Sequence, residues 1–162
     1  MKRLSTDEKF LNFKKQIKNE VKIDFDLDEN NLKNYVRRLE INSLKALNYN
    51  NHLDFVREKY TENFIEFERL KANLSKKIRY DLSYTVKSKL EVDMFLNMDD
   101  LETNKVKMFS EKEKENYNIL KENVMILNDF IQYLQTIVDI LKSKEVSDRM
   151  LLKLAHAEVL GN

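Results

Sequence analysis

The sequence predicts an all-α protein in which long helices form a helical hairpin or bundle. Its 162 residues include no proline and a single glycine near the C-terminus, and 35% of them are charged, a composition typical of long helices with few tight turns. Between residues 110 and 142, apolar side chains recur at alternating spacings of three and four positions, which is the heptad period of a packed helix. We expect one domain with three parts, residues 1–27, 28–109 and 110–162.

The composition excludes several classes of enzyme. The chain has no cysteine, so it has no disulfide, no thiolate zinc site and no cysteine nucleophile. A single glycine does not suffice for a phosphate-binding glycine-rich loop, and His52 and His156 lack the spacing of metal ligands. An all-helical pyrophosphatase needs paired acidic motifs, and Glu145 with Asp148 forms only one. We therefore expect no enzymatic activity, no catalytic residue, no metal and no cofactor.

The hydropathy pattern indicates a soluble, intracellular protein without a membrane partner. The N-terminus lacks the apolar core of a signal peptide, and no window holds 18 consecutive apolar residues, whereas a spanning helix needs about 20. The formal net charge is only +1. Any nucleic-acid binding must therefore depend on an uneven distribution of charge.

Residues 1–27 are predicted to form a basic helix followed by an extended connector. Ser5 and Glu8 have the spacing of a capping box. An apolar stripe follows at Phe10, Phe13, Ile17 and Val21. Seven cations outnumber three acids over residues 1–22, so this helix either contacts nucleic acid or an acidic partner, or forms the solvated face of a mobile arm or docking helix. Alternation of apolar and polar residues over 21–27 predicts the connector.

Residues 28–109 are predicted to begin with two helices, at about Glu29–Asn48 and His52–Ile78. We expect a kink or break at Asn48–Asn51, because asparagine side chains compete for backbone hydrogen bonds. The first helix directs apolar side chains inward, including Val36 and Leu47.

The basic segment, residues 71–89, carries the main functional signal. It contains six cations and one acid, Asp81, together with two tyrosines. A row of cations neutralises phosphates, and tyrosines stack on unpaired bases, so the segment predicts binding of single-stranded nucleic acid. The candidate residues are Lys71, Lys76, Lys77, Arg79, Tyr80, Tyr84, Lys87 and Lys89. Alternatively, the tyrosines belong to the core and the lysines only solubilise a helix end.

The acidic block, residues 91–102, follows directly and contains five acids without a lysine or arginine. It could form a docking surface for a basic partner, or neutralise the basic segment across a subunit contact.

Residues 110–162 are predicted to form a long heptad helix and a short C-terminal helix. Ser110 and Glu113 form a second capping box. We expect a break at Ser143 or Ser147, after which the last helix directs Val146, Met150, Leu151 and Leu154 inward.

The long heptad helix is apolar over about half of its circumference, wider than the ~100° stripe of a one-sided helix. We therefore expect it to contact another copy of the chain as well as its own. The predicted oligomerisation residues are Leu120, Val124, Leu127, Phe130, Ile131, Leu134, Ile137, Val138 and Leu141. Alternatively, both faces pack inside one monomeric bundle.

Three sequence features together resemble the UvsY-type recombination mediators of large tailed bacteriophages. The first is the basic motif KKIRYDLSY at Lys76–Tyr84, in which Lys77, Arg79, Tyr80 and Asp81 match the family order. The second is the polar start of the long helix, SEKEKENYNILKEN. The third is the ending, ILKSKEVSDRMLLKLAHAEVLG.

This resemblance implies a mediator that binds single-stranded DNA, contacts the single-strand-binding protein and loads a RecA-like recombinase. It also implies a homo-oligomer, ring-shaped as in this family, that is held together by the C-terminal helices. The implied location is the cytoplasm of the infected host bacterium. The rival hypothesis is a structural or adaptor bundle that binds another protein and has no nucleic-acid role.

Overall fold

The computed structural model describes residues 2–20, 32–80, 88, 96 and 109–160. Their regular structure consists of a 3-10 turn at Leu4–Thr6 and the helices α1 (Glu8–Glu20), α2 (Leu32–Tyr80) and α3 (Glu111–Leu160). The prediction of an all-α helical bundle is confirmed, since the described part of the chain holds three α-helices and no strand. The connector predicted at 21–27 lies outside the described residues.

Contacts divide the chain into two units. The first comprises Met1–Asp7 and Lys59–Ile126, and the second comprises Glu8–Glu58 and Leu127–Asn162. Helices α2 and α3 contribute residues to both.

In the first unit, α2 and α3 run antiparallel. Phe67 packs on Tyr117 with ring centroids 5.2 Å apart, and Lys77, further along α2, contacts Glu113, earlier in α3. The unit has a core of Leu74, Ile78, Leu96, Phe109 and Tyr117. The Tyr117 hydroxyl donates a hydrogen bond of 3.1 Å to the carbonyl of Leu96, so the buried phenol is satisfied.

The N-terminal residues of the first unit are tied to α3 by Asn123, whose side chain is buried. The Leu4 N–H donates to Asn123 Oδ1 at 2.9 Å, and Asn123 Nδ2 donates to the Lys2 carbonyl at 3.1 Å. The capping box predicted from Ser5 and Glu8 is wrong. Ser5 lies within the 3-10 turn, and α1 begins only at Glu8.

In the second unit, α1 packs on both long helices through the predicted apolar stripe. The Phe13 ring meets Phe55 of α2 at 5.6 Å and Phe130 of α3 at 6.0 Å, both edge-on. Lys14 lies over the Phe130 ring at 5.7 Å, and Lys18 lies over the Tyr133 ring at 5.9 Å. Because such contacts place two α1 cations against aromatic faces, α1 is a docked helix.

An ion pair between Arg38 of α2 and Asp148 of α3 also joins the two long helices in the second unit. Arg38 Nε donates to Asp148 Oδ2 at 2.8 Å, and a second guanidinium nitrogen donates to Oδ1. Arg57 also donates to Gln135 at 3.0 Å. These pairs show that α2 and α3 are antiparallel here too.

The breaks predicted at Asn48–Asn51 and at Ser143 or Ser147 are wrong, because α2 and α3 continue through both sites; the kink that was the alternative at Asn48–Asn51 stays a prediction. The separate short C-terminal helix is therefore the end of α3. Asparagine or serine in a helix interior costs less than about 0.7 kcal/mol relative to alanine. Burial of one large apolar side chain contributes about 1.5–3 kcal/mol, and Leu53 is buried directly after the first site.

Candidate nucleic-acid interface

The basic segment is partly described, and its described residues lie in the last turns of α2. They are Lys71, Lys76, Lys77, Arg79 and Tyr80. The remaining candidates, Tyr84, Lys87 and Lys89, and the acids of the acidic block lie outside the described residues.

Helical geometry separates these side chains into a buried and an exposed group. Leu74 and Ile78 are fully buried in the core of the first unit. Each helical residue turns the chain by about 100°, so Lys76 and Tyr80 lie about 200° around the axis from Leu74 and Ile78. Lys76, Arg79 and Tyr80 have the spacing of neighbours on one helix face, and all three are exposed.

Tyr80 is 83% exposed. A tyrosine usually buries most of its ring, so this position leaves a flat aromatic surface open to a stacking partner. The alternative that Tyr80 is a core residue is wrong, because its side chain lies off the buried stripe of α2. Its two cationic neighbours, Lys76 and Arg79, can reach phosphates on either side of a stacked base.

Lys77 differs from these cations because it is held by an acid. Its ammonium lies 2.5 Å from Oε1 of Glu113, near the start of α3. The hydrogen bond from Lys77 and a further one from the Ser110 backbone lower the pKa of Glu113 below the usual glutamate value. Lys71 is half-buried and has contacts of its own.

The capping box predicted from Ser110 and Glu113 is confirmed. The Glu113 N–H donates to Ser110 Oγ at 3.3 Å, and the Ser110 N–H donates to Glu113 Oε2 at 3.0 Å. The N–H groups of Ser110 and Glu113 at the start of α3 thereby both have an acceptor. The same carboxylate therefore caps α3 with one oxygen and holds Lys77 with the other.

The predicted oligomerisation residues are mostly buried within a single chain. The buried members are Leu120, Leu127, Phe130, Leu134, Ile137, Val138 and Leu141. Val124 and Ile131 are partly buried. This burial favours the alternative in which both faces of the heptad helix pack inside one bundle, since contact with another copy through the same residues would require the chain to open.

A different apolar surface, which the sequence did not reveal, remains exposed in the second unit. We call it the exposed apolar surface; it comprises Val36, Leu44, Leu47, Ile140, Val146, Met150, Leu151 and Leu154. The expectation that Val36, Leu47 and the four α3 residues from Val146 onward point inward is wrong. The described ring contacts of helix α1 are with His52 and Phe55 of α2 and with Phe130 and Tyr133 of α3.

Helix α3 is also long and apolar enough, by length and composition alone, to cross a membrane, as are the core helices of many soluble bundles. Its most apolar stretch has an exposed face of polar residues, namely Asn128, Asp129, Gln132, Thr136 and Asp139. Charged and amide side chains on a lipid-facing surface are costly. This pattern therefore favours packing in water.

The fold and the site define a helical bundle with a cation-rich, aromatic helix end and an apolar outer surface. Comparisons of the chain with protein families, curated proteins and solved structures found no match.

Proposed function

We propose that this protein binds single-stranded DNA without enzymatic activity and acts as a recombination mediator. The observation that carries the proposal is the 83% exposure of Tyr80 on the helix face it shares with Lys76 and Arg79. Single-strand binding needs a stacking platform among backbone-neutralising cations. Both elements are present on this face, within one helical turn.

The binding mode follows from the three side chains. Arg79 presents a planar fork that suits bidentate contact with a phosphate, whereas Lys76 acts as a compact charge. Tyr80 stacks on the base between them, which contributes about 1–3 kcal/mol and depends little on sequence. A single site of this size binds weakly, so several linked copies gain affinity through effective concentration.

The mediator role is supported by the resemblance of the basic motif and the ending to the UvsY-type family. In this role the protein wraps the strand, loosens the single-strand-binding protein and lets a RecA-like recombinase assemble on the exposed DNA. Such work takes place in the cytoplasm of the infected host bacterium. None of these steps requires covalent chemistry.

Fluorescence anisotropy of a labelled oligo-dT over a range of salt concentrations tests DNA binding. For wild type we expect log affinity to fall linearly with log salt, by about 0.7 per phosphate contacted. The variant Lys76→Ala/Arg79→Ala should lose two contacts and flatten the slope by about 1.4. The control Lys142→Ala/Lys153→Ala removes equal charge from exposed positions of the second unit. If both double variants bind alike, the assignment of the site is refuted.

Substitution of Tyr80 tests stacking separately from charge. Tyr80→Ala should weaken binding by about 5- to 150-fold, the equivalent of about 1–3 kcal/mol. Tyr80→Phe retains the ring and should bind nearly as wild type. Equal affinities of the two variants would exclude a stacking role for the ring.

The exposed apolar surface favours a second candidate function, that of a self-associating structural protein, and we propose that its occupant is a second copy of the chain. Exposed apolar side chains in such number mark interaction sites, and contact through them leaves the buried heptad residues undisturbed. Sedimentation velocity at several concentrations should detect an oligomer. Leu44→Lys/Met150→Lys should shift it to monomer, whereas Leu11→Lys, at an exposed position of α1, should not. A monomeric wild type would exclude self-association.

A further inference from the structure

Glu113 joins the candidate DNA site to the start of α3 through both oxygens of one carboxylate. Oε1 accepts a hydrogen bond from the Lys77 ammonium. Oε2 accepts hydrogen bonds from the backbone N–H and the hydroxyl of Ser110, each at 3.0 Å. A phosphate on a DNA strand would offer Lys77 the same chemistry, namely anionic oxygens that accept charge-assisted hydrogen bonds.

The capping box keeps this carboxylate in place. Glu113 Oε2 accepts hydrogen bonds from the Ser110 N–H and hydroxyl, so rotation of the side chain away from Lys77 would also disrupt the helix cap. Lys77 nevertheless remains accessible, since its side chain is 45% exposed. An incoming phosphate therefore meets a cation that an internal anion already holds.

We propose that Glu113 is an internal competitor for nucleic-acid phosphates at Lys77 and lowers the affinity of the basic segment for single-stranded DNA. This inference rests on the proposed function of the segment. Lys76 and Arg79 make the initial contacts, and Lys77 joins only when a phosphate displaces the Glu113 carboxylate. The competitor returns when the strand leaves. It thereby lowers the free energy needed to pass the strand to another protein.

The variant Glu113→Gln separates competition from capping, because glutamine also serves at this position of a capping box. We expect tighter binding to labelled oligo-dT, by up to about fivefold, since an exposed ion pair contributes up to about 1 kcal/mol. The salt slope should steepen by about 0.7 as one further phosphate is engaged. The control Glu115→Gln changes net charge equally at an exposed position on the same helix, and it should leave the slope unchanged.

Adding Lys77→Ala completes the test. If Glu113 acts through Lys77, then adding Glu113→Gln to Lys77→Ala should raise the affinity for oligo-dT by no more than the small increase that Glu115→Gln gives. Circular dichroism below the unfolding temperature verifies that all variants remain helical.

The outcomes distinguish this inference from the proposed function. Absence of salt-dependent binding by wild type overturns both. Binding that weakens in Lys76→Ala/Arg79→Ala but is equal in Glu113→Gln and Glu115→Gln overturns only the competitor role.

Discussion

Replacement of Arg38 by methionine should destabilise the protein more than loss of any exposed ion pair. The Asp148 side chain is 5% exposed, and that of Arg38 is 20% exposed. Methionine fills part of the volume but donates no hydrogen bond, so it leaves a buried carboxylate without its guanidinium. Removal of one partner of a buried pair costs about 3–5 kcal/mol. Because water can reach the exposed fifth of Arg38, we expect about 3 kcal/mol.

Urea unfolding measures this loss as a shift of the midpoint. A slope of about 2 kcal/mol per molar urea converts 3 kcal/mol to a decrease of about 1.5 M. The double variant Arg38→Met/Asp148→Leu should recover most of the stability, since apolar residues replace buried pairs well. The control Arg149→Met removes the exposed contact with Glu145 and should lose at most about 0.5 kcal/mol. A loss below about 1 kcal/mol in Arg38→Met would show that the Asp148 carboxylate does not depend on this guanidinium.

Three further predictions concern the cap, the buried tyrosine and the N-terminal anchor. Ser110→Ala should destabilise the protein by about 1 kcal/mol through loss of the N-cap of α3, and Ser110→Thr should not, as urea unfolding of both variants will show. Burial, followed by the nearby Glu20 carboxylate, raises the pKa of Tyr49 from 10.0 to about 12. The folded state therefore resists ionisation, and stability should fall as pH rises from 10 to about 12, more steeply in wild type than in Tyr49→Phe. Asn123→Ala removes the acceptor of the Leu4 N–H, so hydrogen exchange of that amide should accelerate; unchanged exchange would contradict the anchor.

The helices could be predicted where periodicity and capping agree. Ser110 and Glu113 marked the start of α3, and the heptad spacing identified Leu127 and Leu134 as buried. The continuity of α2 and α3 could not be predicted, because the modest helix penalty of asparagine and serine is outweighed by contacts distant in sequence. Asp148 shows this most clearly, since its partner lies 110 positions away.

Composition identified the candidate site, but the arrangement of its side chains required the structure. The position of Tyr80, two residues after the apolar Ile78, was a signal in the sequence that it lies off the buried stripe. In contrast, the pairing of Lys77 with Glu113 depends on how α2 meets α3, which no local pattern encodes. The exposure of Leu44 and Met150 likewise depends on how the helices pack, not on their own spacing.

The antiparallel pairing of α2 and α3 also sets an order for folding. Lys77 and Glu113 are separated by 36 positions, Arg57 and Gln135 by 78, and Arg38 and Asp148 by 110. Each doubling of a loop adds about 0.6 kcal/mol of closure entropy, so forming the last pair from the open chain costs about 1 kcal/mol more than forming the first. Pairing should therefore nucleate near Lys77 and propagate outward, and the ends that carry Arg38 and Asp148 should join last and open first.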